Sequence, residues 1–245
     1  MLHCMSEPSP TGGVTRPDRR ARRRQETIEE ILDIAQDVMD EEGVNGLSLS
    51  EVARRLGVQP PSLYKYFDSL MAVYDALFQR GQTAHLETLR RAMDTAGAGL
   101  DALQAGLEAS GRWCIANKPI AQLMFWRPVP SFEPSADSMA PSVEMVRLQR
   151  HALAEAVAAG QLGLGADSDE APYVVSVFVS GVIGQAIANE PELPWGKGRF
   201  TPLLPKLLDV LAALYPPPAR AHKRQSASSR RSPTPERGAQ NDPGQ

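Results

Sequence analysis

The chain has 245 residues, 42% of them hydrophobic, and a formal net charge of −3. That length supports one large or two modest domains with their own cores, and the near balance of charge excludes binding to nucleic acid through overall basicity. Cys4 and Cys114 stand too far apart to read as a disulfide framework or a metal pair, the start lacks an apolar signal core, and no apolar stretch is expected to reach the ~18 residues of a membrane-spanning helix.

Residues 1–21 are rich in Pro, Gly, Ser and Arg and carry no apolar period, so they read as a disordered arm. Arg16, Arg19, Arg20, Arg22, Arg23 and Arg24 crowd its end against a single Asp18. Such a run is either a solubilising charge cluster or an arm that follows phosphates or enters a minor groove. A helix is expected from about Gln25 to Glu42, with Ile28, Ile31, Leu32, Ala35, Val38 and Met39 in one stripe. Its outer face is acidic, which fits solvent and keeps that face away from DNA.

Ser48 followed by Glu51 is a capping box, with Leu47 and Val52 as its hydrophobic staple. Gly57 suits the end of that helix, because glycine tolerates the left-handed conformation there. Pro60 and Pro61 fit a first helical turn, whose backbone N–H groups lack partners anyway. Gln59 takes the cap position before them. Leu63 and Phe67 face inward, which leaves Ser62, Tyr64, Lys65 and Tyr66 largely outside. Hydroxyls, phenols and amines of this kind contact phosphates and base edges. Two short helices across a glycine turn, the second showing these groups, form a helix-turn-helix.

The run L-S-L-S-E-V-A-R-R-L-G-V, followed three residues later by S-L-Y-K-Y-F, resembles the DNA-binding domain of the TetR family of bacterial transcriptional repressors. The likeness covers about Arg24 to Phe78. It implies an all-α chain of about nine helices: an N-terminal three-helix domain with the helix-turn-helix, then a helical ligand-binding and dimerisation domain. It implies that Gln59, Pro61, Ser62 and Lys65 face bases and that Ser48, Tyr64 and Tyr66 hold phosphates. Leu70 stands where many members carry a phosphate-binding lysine. Arg22, Arg23 and Arg24 are the candidates to replace that contact.

Further on, Asp68 or Ser69 is expected to cap a helix to about Met93, and Ala96-Gly97-Ala98-Gly99 to break it. Helices follow from about Leu100 to Asn117, from Pro119 to Trp126 and from Ser142 to Ala159. Arg127 to Pro141 holds Pro128, Pro130, Pro134 and Pro141 and reads as a long loop. The next helix is apolar nearly all round: Tyr173, Val174, Val175, Val177, Phe178, Val179, Val182, Ile183 and Ile187. Leu203, Leu204, Leu207, Leu208, Leu211 and Leu214 supply a last amphipathic helix. By resemblance, 173–187 and 203–214 pair with their copies in a second subunit. From Pro216 the chain reads as a disordered basic tail.

The expected units are therefore an arm (1–21), a DNA-binding domain (22–82), a regulatory and dimerisation domain (83–215) and a tail (216–245). Trp113, Met124, Phe125, Trp126, Met145 and Phe178 are bulky enough to line a small-molecule cavity, with His151, Gln122, Arg112 and Glu144 as polar candidates. His3, His85, His151 and His222 are scattered, and no G-x-S-x-G, H-E-x-x-H, phosphate-binding glycine loop or dinucleotide fingerprint is present. The reading is a cytoplasmic, homodimeric repressor without cofactor or metal, bound to a roughly palindromic operator and released by a small apolar effector. The alternatives are an activator or global regulator of the same fold, or a protein-interaction module that no longer binds DNA.

Overall fold

The computed structural model describes residues 19–218. The arm as far as Asp18 and the tail from residue 219, with Cys4, His3 and His222, lie outside the described residues. Among the described residues there is no strand. The elements are α1 (Arg19–Glu42), α2 (Leu49–Leu56), a six-residue 3-10 helix (Pro60–Lys65), α3 (Leu70–Ala96), α4 (Leu100–Ala116), α5 (Lys118–Trp126), α6 (Ala136–Ala158), α7 (Ala171–Asn189) and α8 (Lys206–Leu214), with three shorter 3-10 turns between them.

α1 starts six residues before the expected Gln25, so Arg19 to Arg24 are helical and not part of an irregular arm. Arginine is a good helix former. The first turns are also laced together, by Arg22 Nε on Glu26 (3.0 Å) and Gln25 on Glu29 (2.7 Å). Each such pair on an exposed helix face contributes a few tenths of a kcal/mol, about 0.2–0.5.

α2 is fixed at both ends. The Ser48 hydroxyl accepts the Glu51 backbone N–H at 3.2 Å, and Gly57 takes φ 73° at the C-terminus. The Glu51 carboxylate does not reach back to Ser48 as a capping box would have it. It receives Arg54 Nε (2.8 Å) and Arg55 Nε (2.7 Å) instead, and Arg55 also donates to Glu41 (2.7 Å) at the end of α1. Ser48→Ala should therefore cost about 1 kcal/mol, read as a lower urea midpoint with unchanged slope.

α3 carries the chain from one core into the other. Val73, Tyr74, Leu77 and Phe78 join Ile31, Val38, Val52, Leu63 and Phe67 in the N-terminal core. Leu89 and Met93 join α4, α6, α7 and α8 in the second. Trp113 and Phe125 pack against both. At Gly81 α5 comes so close that a Cβ would sit 2.4 Å from Ile120 Cγ2, so only glycine permits this helix crossing.

The proline-rich loop is shorter than expected, because α6 begins at Ala136 and holds Pro141 inside it. Ser135 caps that helix through the Ser138 N–H (3.2 Å) and is itself held by Asp75 of α3: backbone N–H and hydroxyl each donate at 2.8 Å. The loop also inserts Phe132 beside Tyr74 (5.9 Å) and Phe78 (6.0 Å). These anchors fix a segment that four prolines alone would suggest is loose.

α7 is not buried all round. Ala171, Val175, Val179, Val182, Ile183 and Ile187 face the core, while Tyr173 is 66% and Val177 74% exposed. The helix has 19 residues and is long and apolar enough to cross a membrane, which corrects the sequence expectation. Its core face accounts for half of that composition; the exposed face is taken up below. Leu203, ahead of α8, and Leu214, its last residue, are also exposed.

Candidate nucleic-acid interface and effector cavity

The second helix of the motif begins at Gln59, whose extended backbone (φ −77°, ψ 141°) caps the 3-10 helix without a side-chain bond. Pro60 and Pro61 hold the first turn, and Leu63 (1% exposed) pins it to the core. The short second helix expected from the sequence is six residues wound as a tight 3-10 helix. With prolines at its start and Phe67 drawn into the core, few residues are left to propagate an α-helix. Gln59, Pro61, Tyr64 and Lys65 are exposed; Ser48, Ser62 and Tyr66 are half-buried.

Arg24 braces this segment across 41 residues of sequence. Its guanidinium donates to the Lys65 carbonyl at 2.7 Å and lies over the Tyr66 ring, 5.1 Å from the centroid. The carbonyl satisfied in this way is one left unpaired at a helix end. Cation–π contact and hydrogen bond together fix where the Lys65 side chain starts from. At the other side of the motif, the Tyr74 hydroxyl donates to the Val44 carbonyl at 2.6 Å inside the core. That bond holds the α1–α2 connection against α3.

The acidic outer face of α1 is partly neutralised by arginines from elsewhere: Arg80 pairs with Asp33, and Arg55 with Glu41 and Glu42. Arg54 and Arg55 hold the Glu51 carboxyl down to about 2. α2 is thus tied to α1 by an ion network that persists at any pH near neutrality.

In the second half, a cavity of about 390 Å³ opens between α3, α4, α5, α6 and α7. Phe78, Leu107, Met124, Phe125, Met145 and Val179 supply apolar wall. Gln82, His85 and Ser110 supply polar wall and are all buried. His85 Nε2 lies 2.6 Å from Ser110 Oγ, with Trp113 stacked at 5.1 Å and Phe125 edge-on at 5.8 Å. Gln82 Oε1 and His85 Nδ1 have no hydrogen-bond partner. A buried polar atom left unpaired costs about 1–3 kcal/mol, a cost that an all-apolar wall would avoid.

Residues 31–77 match the family model described as bacterial regulatory proteins, tetR family. Over that segment the chain is similar to the tetR family. Among curated relatives, an uncharacterised HTH-type transcriptional regulator of Bacillus subtilis, YobS, is 43% identical over 53 residues, 22% of this chain and 28% of the relative. The HTH-type transcriptional activator FasR of Mycolicibacterium smegmatis is 32% identical over 103 residues, 42% of this chain and 46% of the relative. Each match spans less than half of the relative's length. Among solved structures, the transcriptional regulator FadR from Bacillus subtilis superposes with a TM-score of 0.62 at 16% identity, covering 75% of this chain and 96% of that one. A protein from Rhodococcus sp. RHA1 gives 0.61 at 22% identity, covering 77% and 94%. At such identities the likeness is one of fold.

The residues expected to line a cavity divide. Met124, Phe125 and Met145 do line it. Trp113 stands behind His85 and Phe178 is half-buried in the second core. Trp126 and Gln122 line a different cleft of about 720 Å³, between Val44, Asn45 and the outer face of α7. His151 is exposed on α6 and pairs with Glu155 at 3.5 Å. Arg112 is exposed, and Glu144 is spent on Arg90 and Arg147. None of these five side chains lines the cavity.

The fully buried polar groups that face it, Gln82, His85 and Ser110, are not among the residues expected there. A signal existed: Tyr74, Phe78, Gln82, His85 and Leu89 keep one helical stripe, and two members of it are polar. Burial lowers the His85 imidazole from its ordinary 6.5 to about 4. The unfolded chain then takes a proton first, so stability is full above about pH 6.5 and falls as the pH drops toward 4, by roughly 3 kcal/mol at most. Glu51 and Glu144, both held near 2, lose their share only below the ordinary carboxylate value of 4.5. The slope between pH 6.5 and 4.5 should therefore flatten in His85→Leu, as measured by urea midpoints across that range.

Proposed function

We propose that the protein is a homodimeric transcriptional repressor that leaves its operator when a small apolar effector fills the α3–α7 cavity. One observation carries this reading: the unpartnered apolar face of α7. Tyr173 and Val177 lie four residues apart in the open, and Gly181, Gln185 and Ala188 continue the exposed stripe. Val and Tyr exposed in this way on a long helix mark an interface, and Gly181 meets nothing within 4 Å, so another helix can approach closely. Leu203, ahead of α8, and Leu214, its last residue, lie exposed as well. A two-fold pair built on 173–187 and 203–214 buries all of them twice.

On DNA, Gln59, Pro61, Ser62 and Lys65 would face base edges, with Ser48 and Tyr64 on phosphates. Arg22 and Arg23 stand on the N-terminal turns of α1, where they would reach the backbone in place of a lysine at Leu70. Arg24 and Tyr66 would act mainly on each other, holding the segment straight. We read 22–82 as the DNA-binding domain and 83–215 as the regulatory one, working in the cytoplasm with the chromosome. The relatives are named as transcriptional regulators, which favours this over catalysis.

The B. subtilis FadR neighbour was solved with stearoyl-CoA, which supports an apolar effector for the corresponding half of this fold. FasR is named an activator and another relative is the tetracycline repressor protein of class A, so an activator of the same architecture is the second reading. Transcript levels in a deletion strain separate the two signs. Binding itself is tested by a gel shift on the promoter fragment beside the protein's own gene, at 50 and 200 mM salt. Phosphate-driven binding should weaken at least about 10³-fold across that range if six or more phosphates are neutralised. Lys65→Ala should weaken the specific fragment more than random DNA, and Tyr64→Ala should weaken both alike. Equal losses on both fragments in Lys65→Ala would remove that side chain from base contacts.

A further inference from the structure

The polar atoms that the cavity leaves unpaired also specify what should enter it. Gln82 is 4% and His85 3% exposed, and both line the cavity from α3, three residues apart and so on one face. His85 commits Nε2 to Ser110, leaving Nδ1 unpartnered, and the Gln82 amide oxygen is unpartnered too. The remaining wall is mostly aliphatic, aromatic or thioether. We propose that the effector is an uncharged, largely apolar molecule carrying a hydroxyl group, and that this hydroxyl bridges the Gln82 amide and His85 Nδ1. The proposal rests on the effector reading above and names its chemical class.

Three features favour a hydroxyl. It donates and accepts at one atom, so it can give its proton to the Gln82 oxygen and accept from Nδ1–H, in the tautomer whose Nε2 accepts from Ser110. A carboxylate only accepts, and would leave the Gln82 oxygen as it is. A carboxylate or phosphate would also need a buried cation, and none is on offer. Arg127 is the one ionised side chain among the described lining residues, and it is exposed at the edge of the cavity. Burial holds His85 neutral. Size sets the rest: at about 30 Å³ for each water-sized group, 390 Å³ accommodates roughly a dozen non-hydrogen atoms.

The test uses the full chain and three probes of one length: 1-decanol, decyl methyl ether and decanoate. Binding is followed by calorimetry and by fluorescence of Trp113, which stacks on His85. The alcohol should bind about 10-fold or more tightly than the ether, the ratio expected for one hydrogen bond to a buried unpaired group, and decanoate should bind least. Gln82→Met keeps the side-chain length but removes the amide. It should erase the preference for alcohol over ether and, without any probe, raise the melting temperature. Ser142→Ala, on the same cavity but away from the pair, should leave the preference intact. The proposal is overturned if the ether equals the alcohol, if decanoate binds more tightly, if no probe binds, or if Gln82→Met keeps the preference. A gel shift on the same samples separates this from the effector reading. Decanoate that binds and releases DNA sinks the hydroxyl but keeps the effector. Decanol that binds with the expected preference but releases no DNA keeps the hydroxyl and sinks release by it.

Discussion

Val177→Arg should leave the chain folded and make it a monomer. Val177 is 74% exposed, so the substitution disturbs no core contact, and surface changes of this kind usually stay within about 0.5 kcal/mol. In a two-fold interface the new charge enters twice. Each copy would be removed from water against an apolar face without an acid partner, at a cost of several kcal/mol. The variant should sediment at half the mass of the parent with an unchanged melting curve. Operator affinity should then fall by about 100-fold or more, because the second half-site loses the effective concentration that tethering supplies. Tyr173→Arg should act alike. A variant that still sediments as a dimer would move the interface elsewhere on the surface.

Phe132→Ala should strongly destabilise the fold. The ring is 5% exposed and packs edge-on to Phe78 and tilted to Tyr74, in the core beneath the helix-turn-helix. Deleting it removes apolar burial and leaves a hole, at about 3–5 kcal/mol. For a domain of this size that corresponds to a fall on the order of 10 °C in melting temperature. Phe132→Leu keeps most of the volume and should cost below about 1.5 kcal/mol. Hydrogen exchange should show the loss first at α3 around Tyr74 and at the α1–α2 connection, since Tyr74 holds Val44 there. The loop matters because it joins two walls of the cavity, α5 and α6, to the core that sets the reading segment. If Phe132→Ala melts like the parent, the loop is not part of that core.

These two residues show where the sequence was and was not readable. The motif around Ser48, Gly57, Pro60 and Leu63 announces itself locally: a cap, a left-handed glycine, a first-turn proline and an inward leucine each act within a few residues. The structure repeats them almost position for position, apart from the 3-10 winding of the second helix. Phe132 sits among prolines that spoke only of loop. Its role depends on Tyr74 and Phe78, more than fifty residues earlier. The Arg24 brace has the same character, a hydrogen bond spanning 41 residues with no local signal. The cavity was half legible. Bulky residues could be counted, but which of them face inward depends on how five helices are rotated about their axes. Gln82 and His85 were visible as polar members of an apolar stripe, yet a buried polar pair looks the same in sequence whether it serves packing or a ligand. The pairing of Nε2 with Ser110, and the unpaired Nδ1, are properties of the folded neighbourhood alone.

The account stands or falls on a paired grip of DNA by two copies of the Pro60–Lys65 segment. Hydroxyl-radical footprinting of the full-length protein on the promoter beside its own gene measures that grip. The expected result is two protected patches related by a two-fold axis, their centres about one turn of duplex, or a multiple of it, apart, both lost together in Val177→Arg. A single patch without symmetry, or a symmetric footprint that Lys65→Ala and Tyr64→Ala leave unchanged, would contradict it.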